Sequence, residues 1–441
     1  MQGGLAQRLW QRDRWALGVI AIGSFGATVA WRGISRPMAD TVSYRAGAVV
    51  LQHGWHSLTD RTPGYPAILV ITGSADRSTH VLFFLQLAMH ILCACLMVDI
   101  ARQVGVGRTG RVILAALLQA PVVMIRVVYE GTEATSAVLL TLLCWLLLRP
   151  VEPGHRLRRA LAVGITCGAS AMVRPTFALL FVPAAIIGYL LWRDPDGQRR
   201  RSWTAAGLVV LPSLILVGGL MALNGVRFDS PSLTPLAAYH LSSRTSPYVE
   251  NLPLSYEPAR SVLIRERDRA LLRGESNAPA NFIWHARPAL ARATGLKGPA
   301  LDRYVMRMDI ELIVHNPFGY LDTVKTASVN YTNLDSQPAV LGLGRPAAWT
   351  QEALHQLLLV LFFGVLALVP GLALARKISP AMLRVLAVGL ILSVYTAGVS
   401  VLVETGTARL RSPSEPILAL VFVVAISAVR PTLAGLRRDH C

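Results

Sequence analysis

MADTVSYRAGAVVLQHGWHSLTDRTPGYP, residues 38 to 66, follows the first long apolar run of the chain. It sets Asp40 just outside that run, then small and apolar residues in a sided pattern, then Arg61 ahead of Pro63-Gly64-Tyr65-Pro66. Val42, Ala46, Val49, Val50 and His53 recur at helical spacing while Thr41, Arg45 and Gln52 face elsewhere, which predicts a short helix lying on a membrane surface. Asp40 takes the N-cap position of that helix, where a carboxylate accepts from unpaired backbone N–H groups. A cap accounts for an aspartate there. A catalytic base held rigidly at a membrane boundary accounts for it equally, and local spacing does not choose between them.

Composition sets the class. Hydrophobic residues make up 53% of the 441 and charged residues only 15%, with a mean hydropathy of +0.47, more apolar content than the cores of a soluble chain require. The chain is read as an integral membrane protein. Its net charge of +18 comes from basic residues in small clusters between apolar runs, the arrangement that orients a polytopic protein. No nucleic-acid partner is expected. Of the 43 basic residues only Lys297, Lys325 and Lys377 are lysines, so any phosphate will be gripped by arginine's planar fork.

The expected fold class is an all-α polytopic membrane protein with about ten transmembrane helices, an amphipathic helix in the first external loop and a mainly helical external domain. The apolar runs fall at residues 15–31, 80–101, 111–127, 134–149, 160–173, 177–192, 203–223, 353–375, 381–402 and 415–431. The pair 160–173 and 177–192 is short and meets at Arg174-Pro175, as a bent pair would. With the amino terminus in the cytoplasm, six basic sets share the cytoplasmic side: Arg8, Arg12 and Arg14; Arg102, Arg108 and Arg111; Arg149, Arg156, Arg158 and Arg159; Arg193 and Arg199 to Arg201; Arg376, Lys377 and Arg384; Arg430, Arg437 and Arg438. Both termini are then cytoplasmic, and the first span is read as a retained anchor despite its basic flank and Thr28-Val29-Ala30. Three regions follow: an N-terminal membrane module over 1–223 with its first external loop at 32–79, an external domain over 224–350, and C-terminal spans over 351–441. Cys93, Cys95, Cys144, Cys167 and Cys441 lie in spans or at the cytoplasmic end, so no external disulfide and no zinc-type spacing is expected.

The external turns concentrate charge. Glu130 and Glu133 in VVYEGTEATSAVLL stand at the start of a span, where carboxylates are costly unless paired, favoured by a helix N-terminus, or at work. Arg174 in MVRPT lies between two apolar runs and calls for a partner anion. ETGTARLRSPSEP adds Arg409 and Arg411 before the last span. Carboxylates and arginines at one depth suit a phosphate-bearing lipid and an activated hydroxyl. Tyr44 and Tyr65 are read as supports of the first loop. His53 and His56 beside Trp55 are read as interfacial polar residues, not metal ligands. No metal site is assigned; a divalent ion is compatible with this chemistry and not required by it, because arginines can neutralise a lipid monophosphate.

At these residues the sequence resembles the polyprenyl-phosphate-dependent glycosyltransferases of the membrane-embedded C superfamily, nearest to bacterial relatives of the protein O-mannosyltransferases and to the aminoarabinose transferase of lipid A. The likeness rests on Asp40 through the Arg-x-Pro-Gly-Tyr-Pro element ending at Pro66, on Thr132-Glu133 opening a span and on Arg174-Pro175. It also rests on His315-Asn316-Pro317 with Tyr320-Leu321, and on Arg411-x-Pro-x-Glu-Pro416. The resemblance implies that Asp40 is the general base, that the sugar arrives on a polyprenyl monophosphate, and that the anomeric carbon inverts. It further implies Arg61, Arg174, Arg409 and Arg411 as charge neutralisers at the lipid phosphate, and Glu133 as a group orienting acceptor or base. Asp40-Thr41 stands where a pair of adjacent acidic residues is common in the mannosyltransferases.

YEPARSVLIRERDRALLRG and ALDRYVMRMDIELIVHN within 224–350 both carry helical periodicity, and YLDTVKTASVNYTNL continues the second. These predict a helical cap that selects the acceptor and excludes water, its last helix lying on the membrane. A transporter or flippase of a lipid or glycolipid is the rival class and predicts internal repeats with charges at mid-membrane. An O-antigen ligase-like enzyme is a second rival. The expected partners are a polyprenyl-phosphate-linked sugar, membrane lipid, and an acceptor glycan, lipid or protein at the external face of the cytoplasmic membrane.

Overall fold

A computed structural model describes residues 5–75, 78–192, 199–275, 281–332, 378–404 and 406–438, with single positions between 353 and 364. The described residues are mostly helical, and the one strand-like pairing among them is an isolated parallel bridge between Arg36 and Tyr129. In chain order the first helices are α1 (Leu5–Trp31), α2 (Thr41–Gln52), α3 (Gly64–Ile71), α4 (His80–Gln103), α5 (Arg108–Leu118), α6 (Pro121–Met124) and α7 (Glu133–Leu148). Next come α8 (Arg156–Val173), α9 (Phe181–Leu191) and α10 (Arg199–Phe228). An external group holds α11 (Leu236–Thr245), α12 (Ala259–Leu272), α13 (Ile283–Thr294), α14 (Gly298–His315) and α15 (Pro317–Thr332), and the chain ends in α16 (Pro380–Leu402) and α17 (Glu415–Arg438).

Among the described residues, five stretches are long and apolar enough to cross a membrane: Asp13–Trp31, His80–Gln103, Ser202–Phe228, Pro380–Leu402 and Arg409–Ala428. Glu133–Leu148 and Pro175–Leu191 are apolar but shorter. The chain is therefore a multi-pass membrane protein, with fewer full-length spans among the described residues than the ten apolar runs of its sequence. The run at 111–127 shows why. Pro121 lacks an N–H and forces the residue before it out of the α region, and Ala120 is extended at φ −61, ψ 140, so the helix stops at Leu118 and resumes as short turns. Residue 174 obeys the same rule ahead of Pro175 (φ −145, ψ 118), which bends the chain between α8 and α9. The run at 353–375 lies largely outside the described residues. Met97, Leu140, Leu143, Val209, Leu392 and Val424 belong to one apolar core shared by the spans, while Ile22, Phe25 and Ile215 remain exposed on outer faces where lipid would meet them.

Helices α11 to α14 enclose a separate core that includes Tyr239, Phe282, Leu290, Val305 and Leu312. α15 leaves it to pack on α16, with Ala327 and Tyr331 against Val401 and Leu410. Phe318, Leu321 and Val329 of α15 stay exposed. Asp309 lies wholly inside the external group, accepting from Ser242 Oγ and Thr245 Oγ1, each at 2.6 Å. Two hydroxyls do not replace lost water, so burial raises this carboxyl from 3.8 to about 7 against the opposing pull of those hydrogen bonds.

This yields a signed pH dependence. Between pH 3.8 and about 7 the folded state holds a proton that the unfolded state has released, so stability falls as pH rises through that window and levels off above it. Asp309→Asn should stabilise the external domain by roughly 2–4 kcal/mol near pH 8 and by little near pH 4. Thermal unfolding followed by tryptophan fluorescence at both pH values checks this; an equal effect at both would contradict it.

Candidate active site

The site begins with how the first loop is fastened. Arg36 N–H donates to the Val128 carbonyl at 2.6 Å and Glu130 N–H to the Arg36 carbonyl at 3.0 Å. Thr41 Oγ1 accepts from Met38 N–H at 2.8 Å and donates to the Glu130 carbonyl at 3.1 Å. These bonds lock residues 36–41 to the turn before α7. α2 then packs on α3 through Tyr44 and Tyr65, edge to face at 4.9 Å between ring centres. Val42 on the opposite face is 78% exposed, as a helix lying on a membrane surface would present it. Gly64 allows the next approach: a Cβ there would come within 2.5 Å of the Met172 carbonyl, so only glycine lets α3 touch the end of α8 beside Arg174.

Four charged side chains form a continuous chain on this frame. Arg61 Nη2 donates to Asp40 Oδ1 at 2.6 Å, Arg409 Nη2 donates to Asp40 Oδ2, and Arg409 Nε donates to Glu133 Oε1 at 2.7 Å. Arg61 is aimed by Ser43 Oγ, which accepts from its Nε at 2.8 Å, and by Tyr44, whose ring centre lies 4.7 Å from the guanidinium carbon. The Asp40 side chain keeps 27% of its surface open and Glu133 only 1%, so Asp40 is the carboxylate a substrate could reach. Burial acting alone would raise its pKa, but Arg409 and Arg61 outweigh that and hold the carboxyl well below the usual range.

The expected helix cap is corrected here. Asp40 occupies the N-cap position of α2 but its side chain makes no capping hydrogen bond; two guanidiniums are stronger partners for a half-buried carboxylate than exposed backbone N–H groups. Glu130 and Glu133, paired in the sequence, also part company. Glu133 opens α7, whereas Glu130 sits in the turn before it and binds Arg45 through 2.8 and 3.1 Å contacts. Arg174 lies beside the quartet with Nη2 3.9 Å from Glu404 Oε2 and with Nη1 buried and without a hydrogen bond. Arg411 points behind the site, donating to the Tyr331 carbonyl and standing 3.7 Å from Glu415.

Thus Asp40, Arg61, Glu133 and Arg409 come together, with Tyr44 under Arg61, Tyr65 packed on Tyr44 and Arg174 at the edge. Glu130 and Arg411 are spent on other pairings. Sequence reasoning missed Arg45, Glu404 and His240. Glu404 had a signal, since it flanks a span as Glu133 does. Arg45 had no such signal: it stands three residues beyond the exposed Val42, and only the fold brings Glu130 to it. His53 meets the Val49 carbonyl at 2.8 Å, and among the described residues no three His, Cys, Asp or Glu side chains gather at one point.

Because Arg409 serves both carboxylates, its loss leaves the buried Glu133 without its guanidinium and Asp40 with Arg61 alone. Arg409→Met should destabilise the protein by about 3–5 kcal/mol. Glu133→Gln should cost less in that background than in the wild type, by about 1–3 kcal/mol of coupling. Chemical unfolding in detergent micelles of both single variants and the double variant measures it, and strict additivity would show that the bridge carries no stability.

Residues 60–219 match the family described as dolichyl-phosphate-mannose-protein mannosyltransferase. That segment holds Arg61, Glu130, Glu133 and Arg174 and stops short of Asp40 and Arg409. Among solved structures, the chain is similar to the archaeal oligosaccharyltransferase AglB from Archaeoglobus fulgidus in complex with an inhibitory peptide and a dolichol-phosphate: 15% identity and TM-score 0.47 over 96% of this chain and 51% of that one. The Archaeoglobus fulgidus oligosaccharyltransferase in its apo form gives 13% and 0.48 over 98% and 52%. ArnT from Cupriavidus metallidurans bound to undecaprenyl phosphate gives 12% and 0.39 over 95% and 79%. The chain spans about half the length of the archaeal structures it is similar to. No curated protein matches it. Over residues 60–219 the sequence is thus similar to the dolichyl-phosphate-mannose-protein mannosyltransferase family, one of the groups its motifs resemble.

Proposed function

We propose that this protein is an integral membrane glycosyltransferase that moves a sugar from a polyprenyl-phosphate donor to an acceptor hydroxyl on the external face of the cytoplasmic membrane. The observation that carries the reading is the partly open Asp40 carboxylate gripped by Arg61 and Arg409 beside the buried, incompletely bonded Arg174. A carboxylate that stays ionised can take a proton; guanidiniums within reach of the same point can receive a phosphate. The basic clusters between apolar runs support the external placement.

In the reaction, the acceptor oxygen attacks the anomeric carbon on the face opposite the phosphate. Its proton passes to Asp40 while the bond from the anomeric carbon to phosphate oxygen breaks, and the electron pair leaves on that oxygen. The configuration inverts. Asp40 is a weak base while both its oxygens are held by arginines, so proton transfer comes late, after the bond to phosphate has lengthened. An entering phosphate shares Arg61 and Arg409, withdraws part of their charge from Asp40 and strengthens the base only when donor is present. Arg174 receives phosphate oxygen through its free Nη1 and stabilises the developing charge. Glu133 fixes Arg409; Arg411 supports Tyr331.

The decisive assay is transfer from radiolabelled polyprenyl-phosphate mannose, arabinose and glucose into membranes carrying the protein. Asp40→Asn should lower transfer by roughly a hundredfold or more while the variant remains inserted, and equal incorporation would remove Asp40 from the chemistry. The pH profile gives a second check with a defined sign. Removing a cation raises the Asp40 pKa, so the acid limb of kcat/KM in Arg61→Met should lie at higher pH than in the wild type; an unmoved limb would assign it to another group.

A further inference from the structure

The external helical domain contributes a side chain to the charged site from above. On α11, Tyr239 turns inward: its hydroxyl donates to Asp302 at 3.0 Å, and the Arg287 guanidinium lies 5.0 Å over its ring. Arg287 also reaches Asp60 at 3.5 Å, one residue before Arg61. The first loop and the domain are thereby tied together beside the site. His240, the next residue, points toward the membrane half. Its ring meets Trp284 edge to face at 5.1 Å, and it stands within electrostatic reach of Glu404, Arg61, Asp40 and Arg174. Both His240 and Trp284 keep part of their surface open. Burial pushes the imidazole pKa down; Glu404 and Asp40 pull it up while Arg61 and Arg174 push it down again. The ring is therefore neutral near neutral pH and does not compete with the arginines for an anion.

The arrangement separates two kinds of recognition. Arg61, Arg174 and Arg409 project from the membrane half, where a lipid carrier must lie. His240 and Trp284 project from the external half, where an acceptor arrives. An inverting displacement needs the nucleophile in line and opposite the leaving group, which places the acceptor oxygen on the side these two residues occupy. A half-exposed indole offers an apolar wall to a sugar ring, and an imidazole can bond one hydroxyl without binding phosphate.

We propose that His240 is a positioning residue that hydrogen-bonds the acceptor hydroxyl and aims its oxygen at the anomeric carbon and its proton at Asp40, with Trp284 as the wall of the acceptor subsite. This deepens the glycosyltransferase reading and rests on it. No proton is transferred to His240; the acceptor's proton still ends on Asp40.

The test uses the full chain in lipid nanodiscs, as wild type, His240→Ala and His240→Gln, with undecaprenyl phosphate as the binding probe and undecaprenyl-phosphate mannose, arabinose and glucose as donors into membrane acceptors. His240→Ala should bind undecaprenyl phosphate within about twofold of wild type yet lose transfer by roughly a hundredfold. His240→Gln, which keeps a hydrogen-bonding group, should restore a large part of it. Retained probe binding also shows that the variants are folded. Transfer by His240→Ala at the wild-type rate overturns the inference and leaves the glycosyltransferase reading standing. Probe affinity that falls together with transfer overturns it too, by making His240 part of the phosphate site. If the wild type transfers no sugar from any of these donors, the glycosyltransferase reading fails and takes this inference with it.

Discussion

The bridge from Glu133 through Arg409 to Asp40 is the constraint on which the rest of the structure depends. It joins residues 276 and 369 positions apart in the chain, so it exists only when the first loop, the start of α7 and the turn before α17 have all converged. Two carboxylates and two guanidiniums cancel within the quartet Asp40, Arg61, Arg409 and Glu133. Arg174 and Glu404 cancel beside it. Burial at a membrane boundary makes such balance necessary, since removing one charge leaves its partner desolvated. The same balance leaves little cationic excess for an entering phosphate. In the proposed reaction a donor phosphate would therefore borrow guanidinium from Asp40 or use the free Nη1 of Arg174, and the borrowing would change the carboxylate it leaves behind.

Much of this was legible in the sequence, for a physical reason. Ionised groups at the ends of apolar runs are costly, so Asp40, Arg61, Glu133, Arg174 and Arg409 stand out wherever the hydropathy drops. The pairings were not legible, because a charge pattern gives depth and not azimuth. Asp40 looked like a cap since capping rules use neighbours in sequence, whereas the competing donors are 21 and 369 residues away. Glu130 and Glu133 looked like one acidic face because their spacing fits a helix; the helix begins between them. Pro121 was readable as a breaker, but hydropathy averaged across it and merged two pieces into one run. The periodic stretches at 256–274 and 300–316 are helical over Ala259–Leu272 and Gly298–His315, while residues 333–350 of the expected external domain lie outside the described residues. Nothing in that periodicity shows that His240 faces the membrane half while Tyr239 faces the core of its own domain.

How the two halves are held in register follows from a few backbone contacts. Arg244 of α11 donates to the Thr323 carbonyl of α15 at 2.9 Å, and Tyr320 donates to the Leu402 carbonyl at the end of α16 at 2.8 Å. Gly406, at φ +62, lies against Ala327; a Cβ there would meet the Ala327 carbonyl at 2.6 Å. A side chain at that position would be strained by its own backbone and would also collide with α15. So α15 is the hard link: it carries the external domain on one side and, through Gly406, sets the height of the turn that holds Arg409 on the other.

In the proposed reaction this linkage would join acceptor recognition to Asp40 by geometry. α15 is bonded to α11, which carries His240, through Arg244 and touches the turn of Arg409 at Gly406, while Asp40 is fastened to the turn at Glu130 by Thr41. Asp40 thus belongs to the N-terminal frame, and one of its two clamps, Arg409, belongs to the frame that is linked to α15. The contact of Arg409 with Asp40 therefore depends on the seat of its turn against α15, whereas Arg61 is linked to the external helices through its neighbour Asp60 and Arg287. The two clamps are therefore not equivalent. Arg61 holds the carboxylate from within the first loop, and Arg409 holds it from the turn before α17.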